Sequence, residues 1–409
     1  MKYKLSDICD IKVGYPFKSH CFNKNGNGVR LVRGMNISKN GLRWGNQTRW
    51  WSNLTKELND YYLKSDDVLI AMDGNVNTNF ALIKKEDLPL LLVQRVARLR
   101  SKVVPQRLIW YIIKTRNFSL YMNAVKTGTT ISHVSAQQIG DYEVELPDLE
   151  AQGKIVNILS TLDEKIANNN AINANLQQQI RLLTTAWLTD FLPFGGTRPQ
   201  GWCEVNLAEV ADFQGGYSYT SEELQESTIA MATIKNFDRK GGFKMDGFKE
   251  IVPSYKLKES QTAKLFDVLV AHTDLTQNAE VIGNAEILNS TMGYDKVIFS
   301  MDLVKVIPKH SVISQFLLAA ILQDKRFKGH CLGYVNGTTV LHLSKKALPE
   351  YKLYLPSHLS VLSPLSDLLE AHYREIAYRI NENKRLAELR DTLLPKLMSG
   401  EIDVSDVEI

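Results

Sequence analysis

Lysine, arginine and amide side chains are concentrated in two parts of the chain that contain no acidic residue, 11–56 and 88–140. Lysine and arginine neutralise nucleic-acid phosphates and release counterions, and arginine, asparagine and glutamine can form paired hydrogen bonds with base edges. A third segment, 235–258, holds seven basic residues against three acidic ones. These patterns favour nucleic-acid binding over enzymatic chemistry.

The net charge of the 409-residue chain is +4, but this charge is unevenly distributed. Residues 1–150 contain 22 basic and 14 acidic side chains, whereas residues 191–350 contain 17 and 18. An anionic partner is therefore expected mainly at the N-terminal part. Solvated surface lysine and arginine would give the same numbers, so charge alone leaves both interpretations open.

Motifs for catalysis and metal binding are missing. The sequence has no phosphate-binding loop, no dinucleotide-binding glycine pattern, no nucleophile elbow, no HExxH pair and no Asn/Asp-Pro-Pro-aromatic tetrapeptide. Its four cysteines are far apart and lack zinc-ligand spacing. We therefore expect no catalytic residue, no metal and no cofactor in this chain, and we expect reduced, mostly buried thiols.

Two histidines, His133 and His342, follow equivalent Gly-Thr-Thr sequences and could be duplicated catalytic residues. No carboxylate or cysteine keeps a fixed spacing to both of them. A structural role or a position near DNA is therefore favoured over catalysis.

The two halves of the chain repeat each other at an offset near 200 residues, which indicates a duplicated scaffold. DVLIAM at 67–72 corresponds to DVLVAH at 267–272, and GTTISHVS at 128–135 corresponds to GTTVLHLS at 337–344. The match is weakest between these segments. A duplicated scaffold that carries a different set of residues in each half would suit the binding of two different ligands. Each half also predicts one helix, over 105–125 and over 314–332.

Long helical stretches close each half, with apolar residues at alternating steps of three and four. This spacing predicts a coiled-coil seam. The alternative is an ordinary amphipathic helix packed on a globular domain. The predicted seam residues are Ile155, Leu159, Leu162, Ile166, Asn173, Leu176, Ile180 and Leu183 in the first stretch and Leu369, Ile376, Asn383, Leu386, Leu393 and Leu397 in the second.

The predicted fold class is α+β, with two similar mixed α/β domains related by a pseudo-two-fold internal repeat. Two long helices that form an antiparallel coiled coil separate these domains. The longest apolar runs are far shorter than the ~20 residues of a membrane span, and the first residues lack an apolar signal segment. We therefore expect a cytoplasmic protein.

The complete pattern resembles the specificity subunit of type I restriction–modification systems, a family also called HsdS. The resemblance rests on residues 128–166 and on the tail NKRLAELRDTLLPKLMSGEI at 383–402, of which LRDTLLPKLMSGEI is the most specific string.

This resemblance implies a DNA-recognition subunit that reads a split, asymmetric site in double-stranded DNA and has no catalysis of its own. The implied partners are two modification subunits, which use S-adenosylmethionine to methylate adenine at N6, and restriction subunits with ATPase and nuclease activity that use ATP and Mg. The implied domains are two target-recognition domains (1–150 and 207–356), two spacer helices (151–190 and 357–400), a linker (191–206) and a C-terminal tail (401–409).

DNA contacts are expected from basic, polar and aromatic residues of both halves. The candidates are Lys18, Arg30, Arg33, Asn36, Arg43, Arg49, Lys126, Thr129 and His133 in the first half and Tyr217, Tyr219, Lys235, Asn236, Lys244, Asn336, Thr338 and His342 in the second. The alternative function is a coiled-coil adaptor with two protein-binding heads. The acid-free basic stretches argue against that alternative, because their lysines and arginines are suited to neutralising DNA phosphates rather than to binding a protein.

Overall fold

The computed structural model describes residues 2–39, 41–128, 130–239, 241–405 and 407. They form two compact units. Unit 1 comprises Met1–Glu164 together with Leu386–Ile409, and unit 2 comprises Lys165–Arg385. The two long helices, Leu149–Leu188 and Ser363–Ser399, each contribute residues to both units.

Unit 1 is built on two small sheets. The first is antiparallel, and its strand order is Cys9–Val13, Val96–Ser101, Val68–Ala71 and Phe80–Leu82. The second has the order Trp50–Trp51, Val29–Val32 and Leu90–Leu92, with the last two strands parallel. The remaining strands of unit 1 are Lys2–Lys4, Ile37–Ser38, Gly41–Leu42 and Glu143–Glu145, and its shorter helices are Leu5–Ile8, Gln106–Lys114, Arg116–Val125 and Ala136–Gly140.

Unit 2 repeats this arrangement. Its antiparallel sheet has the order Ala211–Gly215, Leu303–Pro308, Val268–Ala271 and Ala285–Ile287. Its second sheet has the order Lys249–Glu250, Ile229–Ala232, Lys296–Phe299 and Thr262–Ala263, and the two central strands are parallel. The remaining strands are Trp202–Asn206, Thr273–Asp274, Val335–Asn336, Leu341–Leu343 and Lys352–Pro356, and the shorter helices are Leu207–Val210, Gln315–Leu322 and Lys325–Leu332. The predicted duplication of a mixed α/β scaffold is confirmed.

Glycines allow close backbone approaches at equivalent places of the repeated frame. A Cβ on Gly14 would lie 2.2 Å from the carbonyl carbon of Val93, and one on Gly216 would lie 2.1 Å from the carbonyl oxygen of Ser300. Gly128 and Gly337, which open the two Gly-Thr-Thr sequences, have φ values of +90° and +111°, a region that L side chains disfavour. Backbone geometry therefore explains why these glycines recur in both halves.

The prediction of one helix in each of the segments 105–125 and 314–332 was wrong, because each segment contains two helices. The break occurs where a polar side chain caps the second helix. The Thr115 hydroxyl accepts a hydrogen bond from the backbone N–H of Phe118 at 3.2 Å. The Asp324 carboxylate accepts one from the N–H of Arg326 at 2.8 Å. Such a cap requires an extended backbone at the capping residue, which ends the preceding helix.

The two long helices pack antiparallel within each unit. In unit 1, Asp163 accepts a hydrogen bond from Arg390 at 2.6 Å, and Ile155 and Leu159 share a core with Leu394 and Leu397. In unit 2, Ile180 shares a core with Leu369 and Ile376, and Leu176 and Leu183 pack against it. Asn173 is buried, and Leu162, Ile166, Asn383, Leu386 and Leu393 are half-buried.

A polar cluster interrupts the apolar contact between the helices in unit 2. Asn169 is fully buried. Its Nδ2 donates to Glu382 Oε2 at 2.6 Å and to Asn383 Oδ1 at 2.9 Å, and its Oδ1 accepts from Arg379 Nη1 at 2.9 Å. Polar groups that satisfy each other inside a seam specify its register. This cluster therefore fixes which residues of the two helices face each other.

Among the described residues, no helix is long and apolar enough to cross a membrane. Cys9 and Cys331 are buried and Cys21 and Cys203 are exposed, and all four are free thiols. Burial raises the pKa of the Cys9 and Cys331 thiols to about 12. These two side chains therefore act as apolar core residues.

We expect Asn169→Ala to lower the free energy of unfolding by about 1–3 kcal/mol, because Arg379, Glu382 and Asn383 each lose a partner in a poorly solvated place. Asn168→Ala, on the exposed side of the same helix, is the matched control and should change it by less than ~0.5 kcal/mol. Urea unfolding of the full chain measures both. Equal effects of the two substitutions would mean that the cluster does not stabilise the helix pair.

Candidate nucleic-acid interface

A buried amide closes a loop in unit 1. Asn36 is fully buried at the end of the 3₁₀ helix Gly34–Asn36. Its Oδ1 accepts from the backbone N–H of Arg33 at 3.2 Å, and its Nδ2 donates to the carbonyl of Arg43 at 3.3 Å. The backbone N–H of Arg43 donates to the Asn36 carbonyl at 2.8 Å. The asparagine therefore ties the two ends of this loop together.

Asn236 has the same role in unit 2. It is fully buried at the end of the 3₁₀ helix Ile234–Asn236. Its Oδ1 accepts from the N–H of Thr233 at 2.8 Å, and its Nδ2 donates to the carbonyl of Lys244 at 2.9 Å. We predicted that Asn36 and Asn236 contact DNA, but the structure places both amides in the interior, with their hydrogen-bonding atoms engaged by the backbone.

Four arginines surround the unit 1 loop. Arg30 lies over the ring of Trp44 at 4.9 Å and donates to the carbonyl of Asp87 at 2.6 Å. Arg43 is exposed and donates to the carbonyl of Met35 at 2.7 Å. Arg49 donates to the carbonyls of Asn46 and Thr48 at 2.8 and 2.7 Å. Each guanidinium is thus held by carbonyl oxygens, which orient it without cancelling its charge.

Arg33 is the most confined of these arginines. It donates to the carbonyl of Gln47 and lies 5.6 Å from the ring of Phe22. Burial, and then the charge of Arg49, lower the pKa of Arg33. Its buried Nε has no hydrogen-bond partner within the described ranges. In that same part of the chain, none of the four guanidinium groups pairs with a carboxylate, so their charge is available to an anionic ligand.

Two of the described cations at the corresponding unit 2 loop are paired with acids. Lys244 is exposed and lies 3.2 Å from Asp238, and Arg239 lies 3.1 Å from Glu280. Lys235 is exposed. Tyr219 is half-buried, and its ring lies 5.5 Å from the Lys249 ammonium. Lys244 and Arg239 are therefore partly neutralised by acids, unlike the four described arginines of unit 1.

Tyr217 does not face solvent. Its side chain is buried, and its hydroxyl donates to Glu223 at 2.8 Å and accepts from the N–H of Ser254 at 3.1 Å. The structure thus gives this predicted contact residue an interior, structural position.

A polar cluster lies beside the Gly-Thr-Thr segment of unit 1. His133 Nδ1 lies 2.6 Å from Asp73 Oδ1 and 3.4 Å from Arg95 Nη1. Arg95 has a φ of +70°, which is strained for an arginine, and most of its side chain is exposed. We did not select Arg95 from the sequence. Its place in an acid-free stretch was the available signal, but its backbone strain could not be read from residue types.

The other predicted residues of these segments lie at the surface. Lys126 is exposed and donates to Asn123 at 3.0 Å, and Lys18 is exposed. Thr129 lies outside the described residues. In unit 2, His342, Asn336 and Thr338 are exposed. The His342 backbone pairs with Thr273 and with Asn336, and the Thr338 carbonyl accepts from Gln277.

Matching backbone hydrogen bonds establish which residues correspond in the two units. The N–H of Met72 donates to the Arg95 carbonyl at 2.9 Å, and the N–H of His272 donates to the Asp302 carbonyl at 2.8 Å. Arg95 therefore corresponds to Asp302. By the buried asparagines, Arg33 corresponds to Thr233. The backbone frame is thus the same in both units, while the charges of the side chains at these equivalent positions differ. Within the described ranges, no group of three or more His, Cys, Asp or Glu residues could hold a metal ion.

We expect Asn36→Ala to lower the free energy of unfolding by about 1–3 kcal/mol, because backbone groups at the loop ends lose their partners. Arg43→Ala, which removes an exposed side chain, should change it by less than ~0.5 kcal/mol and should instead weaken DNA binding. Urea unfolding and DNA titration of the same samples separate the two effects. If Asn36→Ala weakened only DNA binding and left stability unchanged, its amide would have to act in the interface.

Comparisons with known proteins show which family this chain resembles. Residues 1–178 match a family model described as type I restriction modification DNA specificity domain. The chain is 22% identical over 386 residues, which is 91% of its length and 86% of the relative's, to the type I restriction enzyme MjaVIII specificity subunit of Methanocaldococcus jannaschii. It is 21% identical over 323 residues, 73% and 69% of the two lengths, to the MjaIX specificity subunit of the same organism.

A solved structure has the same fold. The S subunit of the type I restriction–modification system from M. genitalium superposes with a TM-score of 0.56 at 15% identity, over 97% of this chain and 96% of that one. The duplicated scaffold and the long helices are consistent with the family-model match over residues 1–178. Residues 1–178 thus match the type I restriction modification DNA specificity domain, and the chain is similar over most of its length to specificity subunits of type I restriction enzymes.

Proposed function

We propose that unit 1 and unit 2 each read one half of a split, asymmetric DNA site. The chain then acts as the recognition subunit for two modification subunits, which bind S-adenosylmethionine and methylate adenine at N6. Restriction subunits that use ATP and Mg join the full assembly. The chain itself supplies recognition and docking and contributes no catalytic group.

One observation carries this proposal: the same loop frame presents different side chains in the two units. Asn36 and Asn236 make equivalent hydrogen bonds to the backbone. The residue after each 3₁₀ turn begins a loop that ends at Arg43 in unit 1 and at Lys244 in unit 2. A frame that is kept while its surface changes is what a protein needs to recognise two different base sequences with one architecture.

The surfaces of the two units differ in charge, and we propose that they contribute differently to DNA binding. In unit 1, four arginines without carboxylate partners within the described chain can neutralise phosphates, which is the sequence-independent part of DNA affinity. Arginine can also bind guanine through two parallel hydrogen bonds. In unit 2, the ion pairs of Lys244 and Arg239 reduce the net attraction. We therefore propose that unit 1 supplies most of the attraction at long range.

Docking of the modification subunits is proposed for the long helices. Within unit 2, Leu182, Leu368 and Tyr378 expose 61%, 41% and 60% of their surface. Contiguous apolar surface is typical of sites that bind other proteins, and we propose that these side chains contribute to such a site. A specificity subunit has to bind a catalytic partner, and these helices offer apolar surface for it.

Salt dependence distinguishes DNA recognition from the alternative, a coiled-coil adaptor that binds proteins. We expect binding of the full chain to a random-sequence duplex to weaken steeply with salt. Replacing both Arg43 and Arg49 by alanine should reduce the slope of log K against log salt by about one unit for each phosphate that the variant no longer neutralises. Fluorescence anisotropy over a series of salt concentrations measures this slope.

Lys84→Ala is the matched control, because Lys84 is an exposed cation of unit 1 whose partner is Glu86 at 3.7 Å. It should leave the slope unchanged. A wild-type slope near zero would argue against DNA recognition and in favour of the adaptor.

A further inference from the structure

Glu286 is a buried carboxylate of unit 2 that DNA binding as proposed above does not use. It lies on the strand Ala285–Ile287 and is 7% exposed. Its Oε1 accepts from the backbone N–H of Gly242 at 2.5 Å, and its Oε2 accepts from Gln323 Nε2 at 3.3 Å. Within the described ranges, no lysine or arginine forms an ion pair with it. A carboxylate buried without a cation costs stability, so its retention requires another explanation.

The strand that carries Glu286 holds both ends of one turn. Asn284 directly precedes this strand and is two residues from Glu286, the spacing at which extended side chains project to the same face. Asn284 Nδ2 donates to the carbonyl of Asp238 at 3.1 Å, while Glu286 holds Gly242. The Asp238–Gly242 turn includes Arg239 and lies inside the loop that ends at Lys244. Both residues are cations of the unit 2 surface described above.

The contacts continue from Glu286 to the second long helix. Tyr373, on Ser363–Ser399, is buried and its hydroxyl donates to Gln323 Oε1 at 2.9 Å. Gln323 lies at the end of the helix Gln315–Leu322 and donates in turn to Glu286. A continuous series of hydrogen bonds thus joins the long helix, through Gln323 and Glu286, to the backbone of the turn.

Unit 1 lacks this arrangement. Strand register pairs Leu69 with Ala81 in unit 1 and Leu269 with Glu286 in unit 2, so Ala81 takes the place of Glu286. Ala81 is fully buried and has no polar side chain. The scaffold therefore folds with an apolar residue at this position, and the carboxylate is an addition specific to unit 2.

We propose that Glu286 is a positioning residue that fixes the Asp238–Gly242 turn of unit 2 and links its conformation, through Gln323 and Tyr373, to the second long helix. The consequence of this inference is that base selection by unit 2 depends on a residue that touches no DNA. That consequence rests on the proposed DNA recognition. Its structural part, the holding of the turn, can be tested without DNA.

The charge of Glu286 gives the turn a pH dependence. Burial, with a smaller contribution from the charge of Asp238, raises the pKa of Glu286 to about 7. The hydrogen bonds from the N–H of Gly242 and from Gln323, and the charge of Arg181, act in the opposite direction. Tyr373 is the other titratable group that faces the carboxylate. Opening the turn would hydrate the carboxylate and return its pKa towards the ordinary value. The closed turn then binds the proton more tightly, so rising pH favours opening.

Hydrogen–deuterium exchange of the full chain tests the structural part. After correction for intrinsic exchange rates, protection of peptides that cover 237–244 should fall roughly tenfold between pH 6 and pH 8. Glu286→Gln, which keeps an acceptor but cannot ionise, should remove this pH dependence. Glu286→Ala should lower protection at every pH. Tyr373→Phe, a change on the helix, should also lower protection of the turn.

Glu259→Gln is the matched control, because Glu259 is an exposed carboxylate of the same unit that pairs with Lys296. It should leave the turn unchanged. Protection of the core strand Val268–Ala271 reports whether each variant is folded. A folded Glu286→Gln variant with wild-type pH dependence, or a folded Tyr373→Phe variant with wild-type protection of the turn, would overturn the proposal.

The methylation motif in DNA from cells that contain the chain and its modification partner tests the consequence. Glu286→Ala should relax one half of the motif and leave the other half intact. If exchange changes as expected while neither half of the motif changes, the link to base selection is rejected and the positioning of the turn stands. If the wild-type chain directs no methylation, the proposed function fails independently of Glu286.

Discussion

The proposed recognition surface of each unit depends on one buried asparagine side chain. Its carbonyl oxygen accepts a backbone N–H at the start of the loop, and its amide nitrogen donates to a backbone carbonyl at the end, in unit 1 from Asn36 and in unit 2 from Asn236. A buried amide with all its groups satisfied is stable, but one without partners is costly. The buried amide and the backbone thereby hold the loop ends together, which allows the exposed side chains to differ between the two units.

The two units use this freedom differently. Unit 1 presents arginines held by carbonyl oxygens, and at its polar cluster Asp73 and Arg95 lie beside His133. In unit 2, Thr273 and Asp302 stand at the positions of Asp73 and Arg95. Lys244 and Arg239 are paired with acids. The antiparallel sheets of the two units have the same strand order, so the difference in chemistry does not require a different scaffold.

The duplicated scaffold and the helices were predictable because their signals are local and repeated. Gly-Thr-Thr recurs because Gly128 and Gly337 have positive φ, and the seam follows from spacing alone. The site was less predictable. An amide can bond a base or the backbone equally well, so residue type did not reveal that Asn36 and Asn236 are interior. The same holds for the Tyr217 hydroxyl. Glu286 carries no sequence signal at all, because its role depends on a turn more than 40 residues away.

We propose that a frame common to both units carries interchangeable reading loops. The most direct measurement replaces residues 237–243 of unit 2 by residues 37–42 of unit 1, between the same asparagine and its basic partner, and then determines the methylation motif in cells that contain the modification partner. We predict a change at one or more positions in one half of the motif and no change in the other half. A folded variant with an unchanged motif, or with both halves altered, would contradict the claim.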